Sequence, residues 1–254
     1  MKTHRLAVGP GEEIVVDWYL PEANPPLGAA VFIHGFASDR KGEKALFFAE
    51  TLTRIGWAFA AVDLRSHGEA SGNLETLTIS RCVEDISVLM DWMPISMTTP
   101  MVLIGSSMGG AVSAWYTVRH PGQVNAVAWI APSLTFPNSL VSEIPAGQLS
   151  AWKDAGQMRY RNEWLDVTLG YDLVTDGQTY DYRELLAAYR LPTLIFHGIQ
   201  DDAVPWQASV DFVKNCPNKA IDLVVIKQGD HRLTDHKGFL GKALVAWIER
   251  VFPG

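Results

Sequence analysis

Cysteine is scarce in this chain. Two residues among 254, Cys82 and Cys216, are too few for a disulfide framework, and Cys82 falls in a strongly helical stretch. That usage predicts a reduced, cytoplasmic protein. Long apolar runs are missing too: none reaches the roughly 18–20 residues needed to span a bilayer. Met1 to Leu6 lacks the apolar stretch of a secretory signal and turns polar again by Gly9. There is no excess of positive charge. The formal net charge of −7 argues against nucleic acid or an anionic membrane as the main partner. No Gly-x-x-x-x-Gly-Lys-Ser/Thr occurs, and no Cys/His cluster has metal-ligand spacing, so neither cofactor nor metal is expected. Asp63, Arg65 and His67 read as a network steadying a loop rather than as metal ligands. Internal repeats and low-complexity tracts are absent.

What remains is 48% apolar and 19% charged, enough to fill the core of one large α/β domain. Continuous apolar runs at Ala29–His34, Trp57–Val62, Met101–Ile104, Val124–Ala131, Thr193–His197 and Ile221–Ile226 suit strands covered on both faces. Helical spacing fills the intervals 42–55, 79–93, 108–120 and 206–215, and an amphipathic helix closes the chain near Val251. Strand and helix alternate, which predicts βαβ units and a mostly parallel sheet with helices on both faces. An earlier strand is expected over 12–20.

Residues 132–190 break this rhythm. Their prolines, glycines, aromatics and charges show no sustained period, and about 60 residues is too long for a plain loop. They are expected to form a cap inserted over the carboxyl edge of the sheet, between core segments 1–131 and 191–254. A helix over 147–161 and a hairpin over 164–175, turning near Gly170, are expected within it. Its aromatics argue for packing rather than disorder, and suit either a pocket wall or a homodimer interface.

One stretch carries chemistry. Gly105-Ser106-Ser107-Met108-Gly109 follows a buried strand and opens a helix, the form of a sharp turn that lifts one serine hydroxyl above a sheet. A serine hydroxyl is a poor nucleophile without a base, and histidine, titrating near about 6.5, suits that task. A carboxylate behind the imidazole fixes its tautomer. Ser107, Asp201 and His231 each follow a strand, in the order such a site requires. His34 and His197 end strands just before a glycine and read as turn-shaping; His67 is a weaker base candidate, and His4, His120 and His236 look superficial. Asp201 is favoured over Asp202, and Asp230 is a poor partner because adjacent side chains on an extended loop diverge. The backbone N–H groups of Met108 and Phe36 are expected to hold an oxyanion, the latter placed by His34-Gly35-Phe36. Phe36, Val204 and Tyr171 are candidate substrate contacts.

Together these motifs resemble the α/β-hydrolase serine hydrolases, with Asp63-Leu64-Arg65-Ser66-His67-Gly68 and His197-Gly198-Ile199-Gln200-Asp201-Asp202-Ala203-Val204-Pro205 adding to the match. In that family's His-Gly-x-x-Asp-x-x-Val-Pro pattern the first aspartate is the triad acid, which implies Asp201. Gly229-Asp230-His231-Arg232-Leu233 is similar to bacterial relatives of palmitoyl-thioester hydrolases. Leu165 to Tyr171 is similar to the inserted hairpin of bacterial cinnamoyl and feruloyl esterases. The resemblance implies an α/β-hydrolase fold and cleavage of small-molecule carboxylic esters through an acyl-enzyme. Thioester hydrolysis is the first alternative, then carbon–carbon bond hydrolysis or perhydrolysis, then a non-catalytic binding relative.

Overall fold

Among the described residues eight strands form one sheet, whose spatial order matches the chain order except that the third and fourth strands are exchanged. The computed structural model describes residues 1–162 and 165–253. β1 (Lys2–Gly9) and β2 (Glu12–Tyr19) form an antiparallel pair, and β2 pairs antiparallel with β4 (Trp57–Asp63). From there the sheet is parallel, running through β3 (Gly28–Ile33), β5 (Met101–Ser106), β6 (Ala126–Ile130), β9 (Thr193–Gly198) and β10 (Ile221–Ile226). The order across the sheet is β1-β2-β4-β3-β5-β6-β9-β10. The fold is that of an α/β hydrolase, as the sequence led us to expect.

Alternate residues of the central strands feed two separate cores. Ala30, Phe32, Phe59 and Ile104 point to one face, covered by α1 (Glu43–Arg54) and α9 (Lys237–Val251). Val31, Ile33, Val62 and Leu103 point to the other, covered by α2 (Ile79–Trp92), α3 (Met108–Arg119) and α8 (Gln207–Asn215). Burial on both faces is why these strands read as unbroken apolar runs. β1 was not foreseen. It is an edge strand with only Leu6 buried, so it lacks that signature.

Between β6 and β9 the chain leaves the main sheet. It forms α4 (Asn138–Ser142), α5 (Ala146–Ala155), the hairpin β7 (Gln157–Arg161) and β8 (Asp166–Gly170), then α6 (Asp172–Gly177) and α7 (Tyr182–Ala188). Two expectations need correction. The helix stops at Ala155 rather than continuing to 161, because Gly156 takes a left-handed conformation (φ 73°) and ends it. The hairpin begins seven residues earlier than expected, with Gln157 opposite Gly170, so Gly170 closes a strand instead of making the turn. An added Cβ there would sit 2.0 Å from the Glu75 carbonyl oxygen, so close approach explains that glycine. Trp164, the first residue of the expected hairpin, lies outside the described residues.

The inserted segment is anchored on α2 and α3. Asp176 accepts from the Ser80 N–H (3.0 Å), and the Tyr180 hydroxyl meets Ser80 Oγ (2.8 Å) and accepts from Arg119 (2.8 Å). Trp152, Leu169, Leu173 and Leu185 join the α2/α3 core. Trp152 and Tyr180 therefore pack inward, which accounts for order in a stretch that lies outside the main sheet.

Candidate active site

At Ser107 the chain passes from β5 to α3 with φ 54° and ψ −117°, a conformation that strains any side-chain-bearing residue. Three hydrogen bonds hold it: Ser107 N–H to Ile130 O (3.0 Å), and Ser107 O accepting from Gly110 (2.8 Å) and Ser133 (3.0 Å). The turn is also sterically closed. A Cβ on Gly109 would lie 2.1 Å from Ile33 O, so α3 starts hard against the end of β3. That contact sets the loop after β3, carrying Gly35 and Phe36, beside the Ser107 side chain.

The three residues named from sequence order meet here. His231 Nε2 lies 3.1 Å from Ser107 Oγ, and His231 Nδ1 lies 2.8 Å from Asp201 Oδ2. Asp201 Oδ1 accepts from the N–H groups of Ala203 (2.9 Å) and Val204 (2.7 Å). Burial would raise this carboxyl, but hydrogen bonds from His197 and His231 prevail and hold it well below the usual carboxylate range. Asp202 is exposed, and Asp230 instead accepts the Leu233 N–H (2.7 Å), bracing the histidine loop. A carboxylate on Nδ1 leaves the lone pair of Nε2 facing the serine, the arrangement a general base needs. Among the described residues neither the Phe36 nor the Met108 N–H has an intramolecular acceptor, so both amides are free to donate. The Met108 side chain is fully buried and offers only its backbone.

Ser107 and His231 open on a cleft of about 1230 Å³. Phe36, Leu134, Phe136, Leu140, Leu165 and Val204 supply its apolar wall, most of it from the inserted segment. Tyr171, an expected substrate contact, does not line it. Its ring packs edge-on against Trp152 at 5.7 Å, within the core of the inserted segment. The tyrosine follows the hairpin rather than occupying its turn, so its side chain faces away from the cleft.

Sequence reasoning missed two supporting groups. Lys44 on α1 donates to the Arg232 carbonyl (2.6 Å), tying down the residue after His231; burial lowers its ammonium to about 8, opposed by Asp230 and Asp201. His197, read as turn-shaping, contacts Asp201 Oδ2 at 3.0 Å. Its place four residues before the aspartate, at a strand end, was the available signal. Among the described residues no cluster of His, Cys, Asp and Glu could hold a metal ion, and no helix is long and apolar enough to cross a membrane.

The other strand-end histidines sit below the cleft. His34 donates from Nδ1 to Gly35 O (2.8 Å) and accepts the Leu64 N–H (3.3 Å). His67, its ring 4.8 Å from that of His34, is buried with no partner for Nε2 among the described residues. Burial lowers His34 to about 4; burial and then the charge of His34 lower His67 to about 3. Both lie below the ordinary 6.5, so the stability they confer is complete above that pH and is lost as pH falls toward 4 and 3. Each ring should cost about 2–3 kcal/mol between about pH 6.5 and 4.5. Thermal unfolding across that range should show a shallower loss in His67→Phe than in wild type; parallel curves would refute this.

A family model described as serine aminopeptidase, S33, matches residues 24–161, more than half of the chain. The chain belongs to that family of α/β hydrolases. Among curated relatives, bovine (Bos taurus) palmitoyl-protein thioesterase ABHD10, mitochondrial, is 24% identical over 209 residues, 81% of this hydrolase and 67% of the relative. Among solved structures, mouse α/β-hydrolase domain-containing protein 10 superposes with a TM-score of 0.84 at 21% identity, covering 99% of this chain and 100% of that one. Est1E from Butyrivibrio proteoclasticus with ferulic acid bound gives 0.83 at 23%, covering 97% and 98%. At those identities the structural likeness speaks to fold.

Proposed function

We propose that this hydrolase cleaves neutral carboxylic esters through an acyl-enzyme. Ser107 Oγ attacks the ester carbonyl carbon while its proton passes to His231 Nε2, and Asp201 stabilises the imidazolium that forms. The N–H groups of Phe36 and Met108 hold the oxyanion, each such donor worth about 2.7–4 kcal/mol. His231 then gives its proton to the departing alkoxide, and the bond to the alcohol breaks. Water attacks the acyl-serine, its proton going to His231, and the carboxylic acid leaves as Ser107 regains a proton. The observation that carries this reading is the unbroken Ser107–His231–Asp201 hydrogen-bonded chain on the floor of a cleft.

Residues 132–190 serve as the cap, and the apolar wall they contribute suits an aliphatic or aromatic acyl group. Thioester cleavage is the second reading, supported by the curated relative named as a palmitoyl-protein thioesterase. The two separate on matched oxygen esters and thioesters varied in acyl length and aromaticity, with an amino-acid arylamide as control. We expect the oxygen esters of medium-length and aromatic acids to have the highest kcat/KM. A thioester preference above about tenfold, or about 1.4 kcal/mol in the barrier, would replace the ester reading. Absence of a fluorophosphonate adduct on Ser107 would remove both.

A further inference from the structure

We propose that His197 is a positioning residue for Asp201, forming with Ser209 a second hydrogen-bonded arm behind the catalytic carboxylate. The inference rests on the Ser107–His231–Asp201 reading and extends it by two residues.

Asp201 Oδ2 lies between two imidazoles, with His231 Nδ1 at 2.8 Å and His197 Nε2 at 3.0 Å. Its other oxygen takes the two backbone amides already described, so four donors surround one carboxylate and fill its lone-pair capacity. His197 and the Asp201 side chain are both fully buried. Hydrogen-bond logic fixes the tautomer. His197 Nε2 faces only acceptors, Asp201 Oδ2 and the Val204 carbonyl (3.0 Å), so it carries the proton. Nδ1 lies 2.7 Å from Ser209 Oγ on α8, whose hydroxyl donates to it. The chain therefore runs Ser209, His197, Asp201, His231, Ser107, and every link donates toward the central carboxylate: each serine to its imidazole and each imidazole to Asp201.

Two consequences follow. The second imidazole stops the carboxylate from rotating away from His231. It also draws off part of the carboxylate charge, which moderates how strongly His231 holds a proton during turnover. A residue that only filled space at the strand end would do neither, and phenylalanine would fill that space as well. Other charged groups around this carboxylate include Lys44 on α1 and Asp230 and Arg232 on either side of His231, and none of them changes in the variants below.

The test compares wild type, His197→Phe and His197→Gln in kcat and KM for one neutral ester across pH. The Phe variant should lose roughly 10- to 100-fold in kcat, the effect of one hydrogen bond to a charged group, with KM little changed. With the full carboxylate charge left on His231, its activity should fall off on acidification at a higher pH than in wild type. Glutamine keeps a donor near the Nε2 position and should restore most of kcat and the wild-type profile. A folded Phe variant whose pH profile superposes on wild type overturns the proposal. Nitrogen-15 shifts of the wild-type imidazoles give a reading independent of any variant: His197 should be protonated at Nε2, and a ring protonated only at Nδ1 overturns the assignment. Fluorophosphonate labelling of wild type at Ser107 shows whether the underlying triad reading stands, so the two failures are told apart.

Discussion

Replacing Ser107 with alanine should abolish turnover, lowering kcat by about 10⁴- to 10⁶-fold. The reason is local. The Oγ removed lies 3.1 Å from His231 Nε2, and among the described residues no other hydroxyl or thiol is hydrogen-bonded to that nitrogen. What survives is the pair of free amides at Phe36 and Met108, so a small residual rate over water is expected. Stability should hardly change. Alanine keeps the Cβ, the three backbone hydrogen bonds at residue 107 and the same strained φ of 54°. A second variant sharpens the point. Ser107→Gly loses the same hydroxyl but relieves a strain worth about 1–3 kcal/mol. It should be equally inactive yet melt higher than Ser107→Ala, even after the greater chain entropy of glycine is counted. Ester hydrolysis at near-wild-type rate in the alanine variant would end the assignment of Ser107, and a glycine variant melting below the alanine one would refute the strain argument.

How much of this was visible beforehand depends on how far each residue's place is set by its neighbours in sequence. The elbow was legible because its Gly-x-Ser-x-Gly pattern sits between a buried strand and a helix: Gly105 is demanded by the nearby Gly109 carbonyl, whereas Gly109 is demanded by Ile33, distant in sequence. The Asp201 and His231 loops were legible because each follows a strand that reads as an apolar run, β9 because it is buried throughout and β10 because Ile221 to Ile226 is apolar in sequence apart from Asp222, although it is a half-buried edge strand. Their meeting at 2.8 and 3.1 Å is a property of strand order, which places β5, β6, β9 and β10 side by side.

The inserted segment was legible only as a change of pattern. Apart from the two-stranded hairpin, its elements pack on α2 and α3 rather than entering the main sheet, so no core periodicity marks them. The hairpin strand Gln157–Arg161 alternates exposed and half-buried residues and looks like any polar stretch. Gly156 was the missed signal: a glycine after a short helical pattern reads as its stop. Tyr171 was misplaced for the same reason, since shifting the hairpin shifts the residue that follows it. The role of Lys44 depends on a contact across the chain that no local pattern encodes, whereas His197 lies four residues before Asp201 and only its exact distance was hidden.

The loop that brings Phe36 to the serine is held from beneath, and there a second large effect is expected. Arg40 is only 2% exposed, yet its guanidinium meets three carboxylates. Nε lies 3.1 Å from Asp17 Oδ2, Nη1 pairs with Asp63 Oδ2, and Nη2 lies 3.0 Å from Glu69 Oε2. Its own N–H donates to Asp63 Oδ1 at 2.6 Å. One side chain thus joins β2, the end of β4, the loop after β4 and the loop after β3. Arg40→Met would leave Asp17 and Asp63, both buried, without their cation, a change that costs about 3–5 kcal/mol. For a chain of this size that is roughly 6–20 °C in Tm. Arg40→Lys should fall between, because a single ammonium keeps the charge but cannot span three acceptors. Combining Arg40→Met with Asp63→Asn should cost less than the sum of the two changes, since asparagine still accepts from backbone amides but leaves no buried charge there. Thermal unfolding of wild type, the three single variants and the double variant decides it. If Arg40→Met melts within about 2 °C of wild type, the guanidinium is not what fixes this loop, and the alignment of Phe36 with Ser107 must come from the glycine packing at the elbow alone.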